Sequence, residues 1–157
     1  FGPAEPLRAT DQRVVVRELT LFIRNVRSVS TDPTSQLRMI QDAYAYMDQA
    51  AAGFLNDYFA DPDNDPRLLA QRLTREVEVT GVLPIPNSES WKLQWIERER
   101  SQAGGITETT PWEAYVTVKF APPADAERIQ ANPLGLYVTG LNWTAIHVPE
   151  NTEGGTP

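Results

Sequence analysis

Along the first half of the chain, apolar residues recur with a helical period. Val15, Leu19, Phe22, Val26 and Val29 follow at spacings of four and three, which puts them on one face of a helix. Arg17, Arg24 and Arg27 fall elsewhere on that cylinder. Asp32-Pro33 predicts a second helix start, because the aspartate can accept from exposed first-turn amides and proline is tolerated at the first helical position. Leu37, Ile40, Tyr44, Met47 and Ala51 form its stripe, and the pattern predicts that this helix continues or bends near Gly53 towards Phe59. Asp65-Pro66 repeats the start signal before a short helix through Leu73.

The period then changes to two. Val77, Val79, Gly81 and Leu83 alternate with Glu76, Glu78 and Thr80; Trp91, Leu93 and Trp95 alternate with Lys92 and Gln94; Ala114, Val116, Val118 and Phe120 alternate with Tyr115, Thr117 and Lys119. Each run has one apolar and one wet face, the pattern of an antiparallel sheet covered on one side. Pro84 and Pro86 close the first strand, and Gly104-Gly105 lies where a hairpin would join the second to the third. Residues 122–131 predict a short helical crossover, and a fourth strand should run from Leu136 to Ile146. That last strand departs from the rule: Leu136, Val138 and Ile146 lie on one face, while Tyr137, Leu141, Trp143 and Ala145 lie on the other. A strand apolar on both sides is either wrapped into the core or meets a partner. Helices followed by strands predict an α+β fold, with N-terminal helices packed on a curved four-stranded antiparallel sheet. Residues 1–9 read as a proline-rich lead-in, 10–148 as a single domain, and 149–157 as a loose acidic, glycine-rich tail.

Composition narrows the chemistry. A chain of 157 residues with 41% hydrophobic and 22% charged residues fits one globular domain. A formal charge of −7 argues against general nucleic-acid binding. The absence of cysteine excludes disulfides, thiolate chemistry and the common structural zinc sites. Residues 130–149 lack a charged side chain, but Asn132, Pro133, Gly135, Gly140 and Asn142 rule out a helix in hydrocarbon. His147, the single histidine, has no partner set for catalysis or metal binding nearby and reads as a strand-end residue. Asp61, Asp63 and Asp65 alternate as in a calcium loop. However, Pro62 and Pro66 intrude, the glycine is missing, and Leu73 and Thr74 stand where a glutamate is needed, so a solvated loop ending in a helix cap is the better reading. Glu97, Arg98, Glu99 and Arg100 read as cross-strand pairs on a wet face. Six arginines against four acidic residues before position 41 read as a solvated helix flank. No nucleophile elbow, phosphate loop or dinucleotide fingerprint occurs, and no cofactor is implied.

The most informative element is Asn132-Pro133-Leu134-Gly135, which combines a turn-initiating Asn-Pro step with a glycine free to adopt positive φ. In succession with WKLQWIERE (91–99), Gly104-Gly105, PWEAYVTVKF (111–120) and NPLGLYVTGLNWT (132–144), it resembles the TrbF family, the Trb-system counterpart of the eighth subunit of VirB-type type IV secretion machines. The resemblance implies a nuclear-transport-factor-2-like fold and a bitopic inner-membrane protein whose periplasmic domain this chain would be, following an upstream membrane helix. It also implies a non-catalytic role, with self-association as a homodimer or higher oligomer and contacts to other channel subunits. By position, Asn132, Pro133, Leu134 and Gly135 match the family loop. The Trp-rich second strand and glycine-containing hairpin depart from better-known members of the VirB type.

Two function classes follow. In the first, a scaffold, the apolar stripe of the first helix (Val15, Leu19, Phe22) together with Tyr137, Leu141 and Trp143 supplies the assembly surface, unless the curved sheet wraps these side chains into one core. In the second, the same fold encloses a pocket as an isomerase-like or small-molecule-binding protein. Tyr44 with Asp48 is then the best acid–phenol pair, since Glu76 and Glu78 fall on the wet face.

Overall fold

Both Asp-Pro steps start helices. The computed structural model describes residues 9–122 and 125–147. Its first helix, α1 (Ala9–Arg27), is followed by α2 (Pro33–Tyr44), where the Asp32 carboxylate accepts from Thr34 N. α4 (Pro66–Leu69) is capped by Asp65 and ends before Leu73, which opens β1. The expected continuous second helix is instead two. The chain leaves α2 after Tyr44, and a new helix, α3 (Gln49–Ala60), starts where the Asp48 carboxylate accepts from Ala51 N at 2.7 Å. The break is therefore set by a third aspartate cap, and Gly53 sits inside α3. The intervening turn pairs with the sheet: Val138 N donates to Tyr46 O at 2.6 Å. The stripe on α2 shifts accordingly. Leu37 is 57% exposed, and Gln36 and Ala43 are the buried positions.

The sheet comprises β1 (Leu73–Pro84), β2 (Ser90–Ser101), β3 (Ile106–Phe120) and β4 (Leu136–Ala145), antiparallel throughout and in sequence order. Gly104, at φ 90°, turns the β2–β3 hairpin. The short helix α5 (Ala126–Ala131) joins β3 to its neighbour β4, so it crosses no strand. The predicted lead-in 1–9, Ala9 apart, and the tail 149–157 lie outside the described residues.

Helices α1 and α3 close the inner face. Leu19, Phe22, Ile23 and Leu55 meet Leu93, Trp95, Val116, Leu136 and Val138, all essentially without solvent contact. Burying each aliphatic or phenyl side chain contributes about 1.5–3 kcal/mol. Val29 lies past the end of α1 and forms a bridge with Arg75 on β1 instead of extending the helical stripe.

Bulges decide which side chains face this core. Val79 opposes Trp95 and Gly81 opposes Gln94, leaving Thr80 as the extra residue. Val82, not Leu83, therefore opposes Leu93, and Leu83 is left 59% exposed beside Lys92. A second bulge at Thr139 resolves the two-faced fourth strand. Val138 opposes Val118 and Gly140 opposes Thr117, so Leu141 and Trp143 come to oppose the buried Val116 and Ala114. Leu136, Val138, Leu141 and Trp143 thus share one inner face, while Tyr137 pairs with Lys119 on the other. Phe120 opposes Leu136 at the end of the sheet and remains 39% exposed.

Candidate functional site

The Asn-Pro-Leu-Gly segment is a tight turn between α5 and β4. Gly135 N donates to Asn132 O at 3.0 Å, with Pro133 and Leu134 as the central residues and Gly135 at φ 63°. This arrangement has Asn at the first position, Pro at the second and Gly at the fourth, the residues that such a turn favours. Asn132 is 2% exposed, and its side chain is fully used. Its Nδ2 donates to Leu136 O at 2.6 Å and to Ala45 O at 3.2 Å, and its Oδ1 accepts from Leu136 N at 3.2 Å. One amide therefore acts as an extra residue of ladder on the edge of β4 and fastens the α2–α3 turn to it. Ala121 N donates to Gly135 O at 2.8 Å, which ties the end of β3 to the same loop. Pro133 and Leu134 are left facing outward.

Beside this loop runs a groove of about 550 Å³, lined by residues that include Tyr44, Met47, Asp48, Lys119, Arg128 and Tyr137. Tyr44 and Asp48 both border it but do not work as a pair. The Tyr44 hydroxyl donates to Asn56 Oδ1 at 2.6 Å, and the Asp48 carboxylate is engaged as the α3 cap. Burial lifts the Tyr44 phenol above its ordinary pKa.

A second constellation, unforeseen from the sequence, occupies the other end of the core. Arg27 and Glu97 are 4% and 3% exposed and form a bidentate pair, Nε to Oε2 at 2.6 Å and Nη2 to Oε1 at 2.8 Å. Trp95 Nε1 donates to Glu97 Oε2 at 2.8 Å, and Arg75 Nε lies 3.5 Å from Oε1. The Arg27 guanidinium carbon sits 4.1 Å from the Trp112 ring centroid, 4.9 Å from Trp143 and 5.4 Å from Tyr58. Burial works against the charge of Arg27, but the hydrogen bond to Glu97 and the surrounding charges hold its pKa above the ordinary value. Arg27 was expected on the solvated side of α1 and Glu97 on the wet face of β2; both are core residues. The signal was present. Glu97 continues the inward alternation of Trp91, Leu93 and Trp95, and Arg27 lies one turn beyond the buried Ile23. The rest of that charged run behaves as expected, with Arg98 on Glu78 at 2.7 Å and Arg100 near Glu76 at 3.6 Å.

The residues expected to form an assembly surface separate into three groups. Val15, Leu19 and Phe22 are 3%, 0% and 0% exposed in the chain's own core, and so present no area to a neighbour in this fold. Leu141 and Trp143 are half-buried against that core, and Trp143 packs edge-on to Phe54 and Tyr58 at 5.0 Å from each. Tyr137 alone turns outward, into the groove. His147 is exposed at the end of β4. Asp61 accepts from Asp63 N and Asp65 from Arg67 N, so the loop's aspartates organise its turns, and the last of them caps α4 as expected.

Comparison with known proteins is consistent across sequence and structure. The family model described as VirB8 protein matches residues 1–145. The conjugal transfer protein TrbF of Rhizobium radiobacter is 32% identical over 146 residues, covering 92% of this chain; the chain spans 65% of that protein's length. The Agrobacterium tumefaciens VirB8 structure superposes with a TM-score of 0.78 at 16% identity, covering 92% of this chain and 99% of that one. A TrwG component of a type IV secretion system from Bartonella birtlesii superposes with a TM-score of 0.76 at 15% identity, covering 93% and 98%. The fold shared with these structures is nuclear-transport-factor-2-like, as the resemblance implied.

Proposed function

The chain belongs to the VirB8 family, and from that premise we propose that it is the periplasmic assembly domain of a conjugative type IV secretion subunit. It acts without catalysis, through self-association and contacts with other channel subunits, and is held at the inner membrane by a helix upstream of this chain. Among the described residues no helix is long and apolar enough to cross a membrane. The observation that carries the reading is the family match along nearly the whole chain, joined to a loop whose construction separates two jobs. Asn132 and Gly135 hold the backbone, while Pro133 and Leu134, the latter 37% exposed, remain available to a neighbour. The groove offers a second surface of mixed character, with Lys119, Arg128 and Tyr137 at its rim. Tyr44 and Asp48, the pair on which an isomerase-like reading depended, are bound to separate partners.

The test is transfer of a conjugative element from donors lacking the gene, complemented with wild type or with Leu134→Asp. The reading expects no transfer without the gene, and impaired transfer with the variant despite normal folding and abundance. A phosphatase fusion at the C-terminus should be active, as it is only outside the cytoplasm. Undiminished transfer in the deletion strain would overturn the reading.

A further inference from the structure

The helix α1 has one outward line that assembly through the Asn132 loop leaves unexplained. Arg13, Arg17 and Arg24 are exposed, and at about 100° per residue they fall within roughly 40° of arc along about 16 Å of helix. Leu21, 37% exposed, borders the same line. Among the residues whose side chains are described, from Gln12 onward, no carboxylate pairs with any of the three arginines. The nearest acidic residue on the helix, Glu18, lies to the side and takes the hydrogen bond of the Tyr46 hydroxyl. Burial and that bond push the Tyr46 phenol well above its ordinary pKa, so it remains a donor and keeps Glu18 occupied.

The chain as a whole carries −7, so a cationic line this free of acid is out of character with its surroundings. Its composition also discriminates among anionic partners. A nucleic-acid backbone would use the arginines but offers nothing to the adjoining leucine. A membrane interface takes both, with guanidinium groups at the phosphate level and the leucine at the acyl boundary. We propose that this face of α1 rests on an anionic phospholipid surface, with Arg13, Arg17 and Arg24 binding headgroup phosphates and Leu21 inserting beside them. The contact goes beyond the assembly reading and does not depend on an upstream anchor, although an anchor would make it intramolecular and therefore stronger.

The experiment is flotation of the purified chain with vesicles of equal parts phosphatidylglycerol and phosphatidylcholine, against vesicles of phosphatidylcholine alone, at low and high salt. Binding is expected with the anionic vesicles and at low salt only. The triple variant Arg13→Gln, Arg17→Gln, Arg24→Gln should lower partitioning roughly 100-fold, at about fivefold per arginine. Leu21→Gln should lower it several-fold without changing the salt dependence. Because these side chains are exposed, both variants should melt like wild type, which separates loss of binding from loss of folding. Equal binding to both vesicle types, no binding to anionic vesicles at low salt, or an unaffected triple variant would each overturn the proposal. A triple variant that instead loses self-association or DNA retention, with no vesicle effect, would also overturn it and reassign the face to an acidic protein surface or a nucleic acid. None of these outcomes bears on conjugative transfer, so the two readings fail independently.

Discussion

Replacing Glu97 by Gln tests the least expected feature of the core. The substitution preserves shape but leaves Arg27, 4% exposed, without its anion while Arg75 remains close by. Removing one member of a buried pair costs about 3–5 kcal/mol, because the remaining charge is desolvated and uncompensated. Arg27→Met should cost a similar amount, because Glu97 keeps the Trp95 N–H at 2.8 Å and Arg75 at 3.5 Å but the guanidinium's contacts with the surrounding rings are lost. The attraction of those rings for a desolvated cation, about 2 kcal/mol, is present in wild type and in Glu97→Gln alike, and is lost only when Arg27 is removed. The double variant Arg27→Met, Glu97→Leu removes both charges and should be more stable than Glu97→Gln alone by at least about 2 kcal/mol. Urea unfolding followed by tryptophan fluorescence suits the question, since Trp95 and Trp112 stack at 6.2 Å beside the pair. With an m-value near 2 kcal/mol/M, Glu97→Gln should lower the midpoint by about 1.5–2.5 M. A shift below about 0.5 M, or a double variant no more stable than Glu97→Gln alone, would refute the argument that the carboxylate is what makes the buried guanidinium tolerable.

Asn132→Ala strands the backbone groups of Leu136 and the Ala45 carbonyl; a loss of about 2–4 kcal/mol is expected, with faster amide exchange at Leu136 and Val138. Gly135→Ala places a Cβ at φ 63° and should cost about 1–2 kcal/mol in a thermal or urea melt while leaving the groove intact. Trp143→Glu should unfold the chain rather than merely weaken self-association, because the ring packs on Phe54, Tyr58 and Arg27; a folded, stable variant by circular dichroism would return Trp143 to the list of interface residues. The hydrogen bonds from Arg67 hold Asp65 below the ordinary carboxylate range. A depressed folded-state pKa stabilises fully above about pH 4 and loses that contribution as pH falls through the lower folded-state value, so the melting difference between wild type and Asp65→Ala should be constant above about pH 5 and close on acidification.

The features legible in the sequence were those with a local cause. Asp32-Pro33 and Asp65-Pro66 place their own helix starts through a side chain two residues from the amide it caps, and alternation along β2 places Trp91, Leu93 and Trp95 inward. Features that depend on a neighbour were not legible. Asp48 interrupts a plausible helical stripe because the turn before it pairs with Val138, some ninety residues on. Thr80 and Thr139 are unremarkable in composition, yet each is an inserted residue that reverses the facing of everything after it on its strand. Read without the bulge, β4 is apolar on two sides; with it, one side accounts for Leu141 and Trp143. The buried Arg27 and Glu97 were misplaced for a related reason. Charge argues for solvent only while its partner is unknown, and the two residues are 70 positions apart. The candidate site divided along the same line, with the Asn132 loop readable as a turn and its grip on Ala45 invisible.

These two long-range ties bear on where a neighbour can bind. Arg27 brings α1 against β2, β3, β4 and α3 through Glu97, Trp112, Trp143 and Tyr58, while Asn132 fastens the α2–α3 turn to the start of β4. An assembly contact that used the inner stripe of α1 would have to pull Leu19 and Phe22 out of a core in which each contributes about 1.5–3 kcal/mol, and would expose the ion pair to water as well. Surfaces already facing outward carry no such penalty: Pro133 and Leu134 on the turn, Tyr137 in the groove, and the arginine line of α1. The self-association proposed for the domain is therefore expected to add surfaces to a fold that is already closed. A chain dissociated by dilution should keep its full melting cooperativity, and a melting temperature that fell steeply with dilution, as an obligate dimer's does, would show that part of the core is shared between copies.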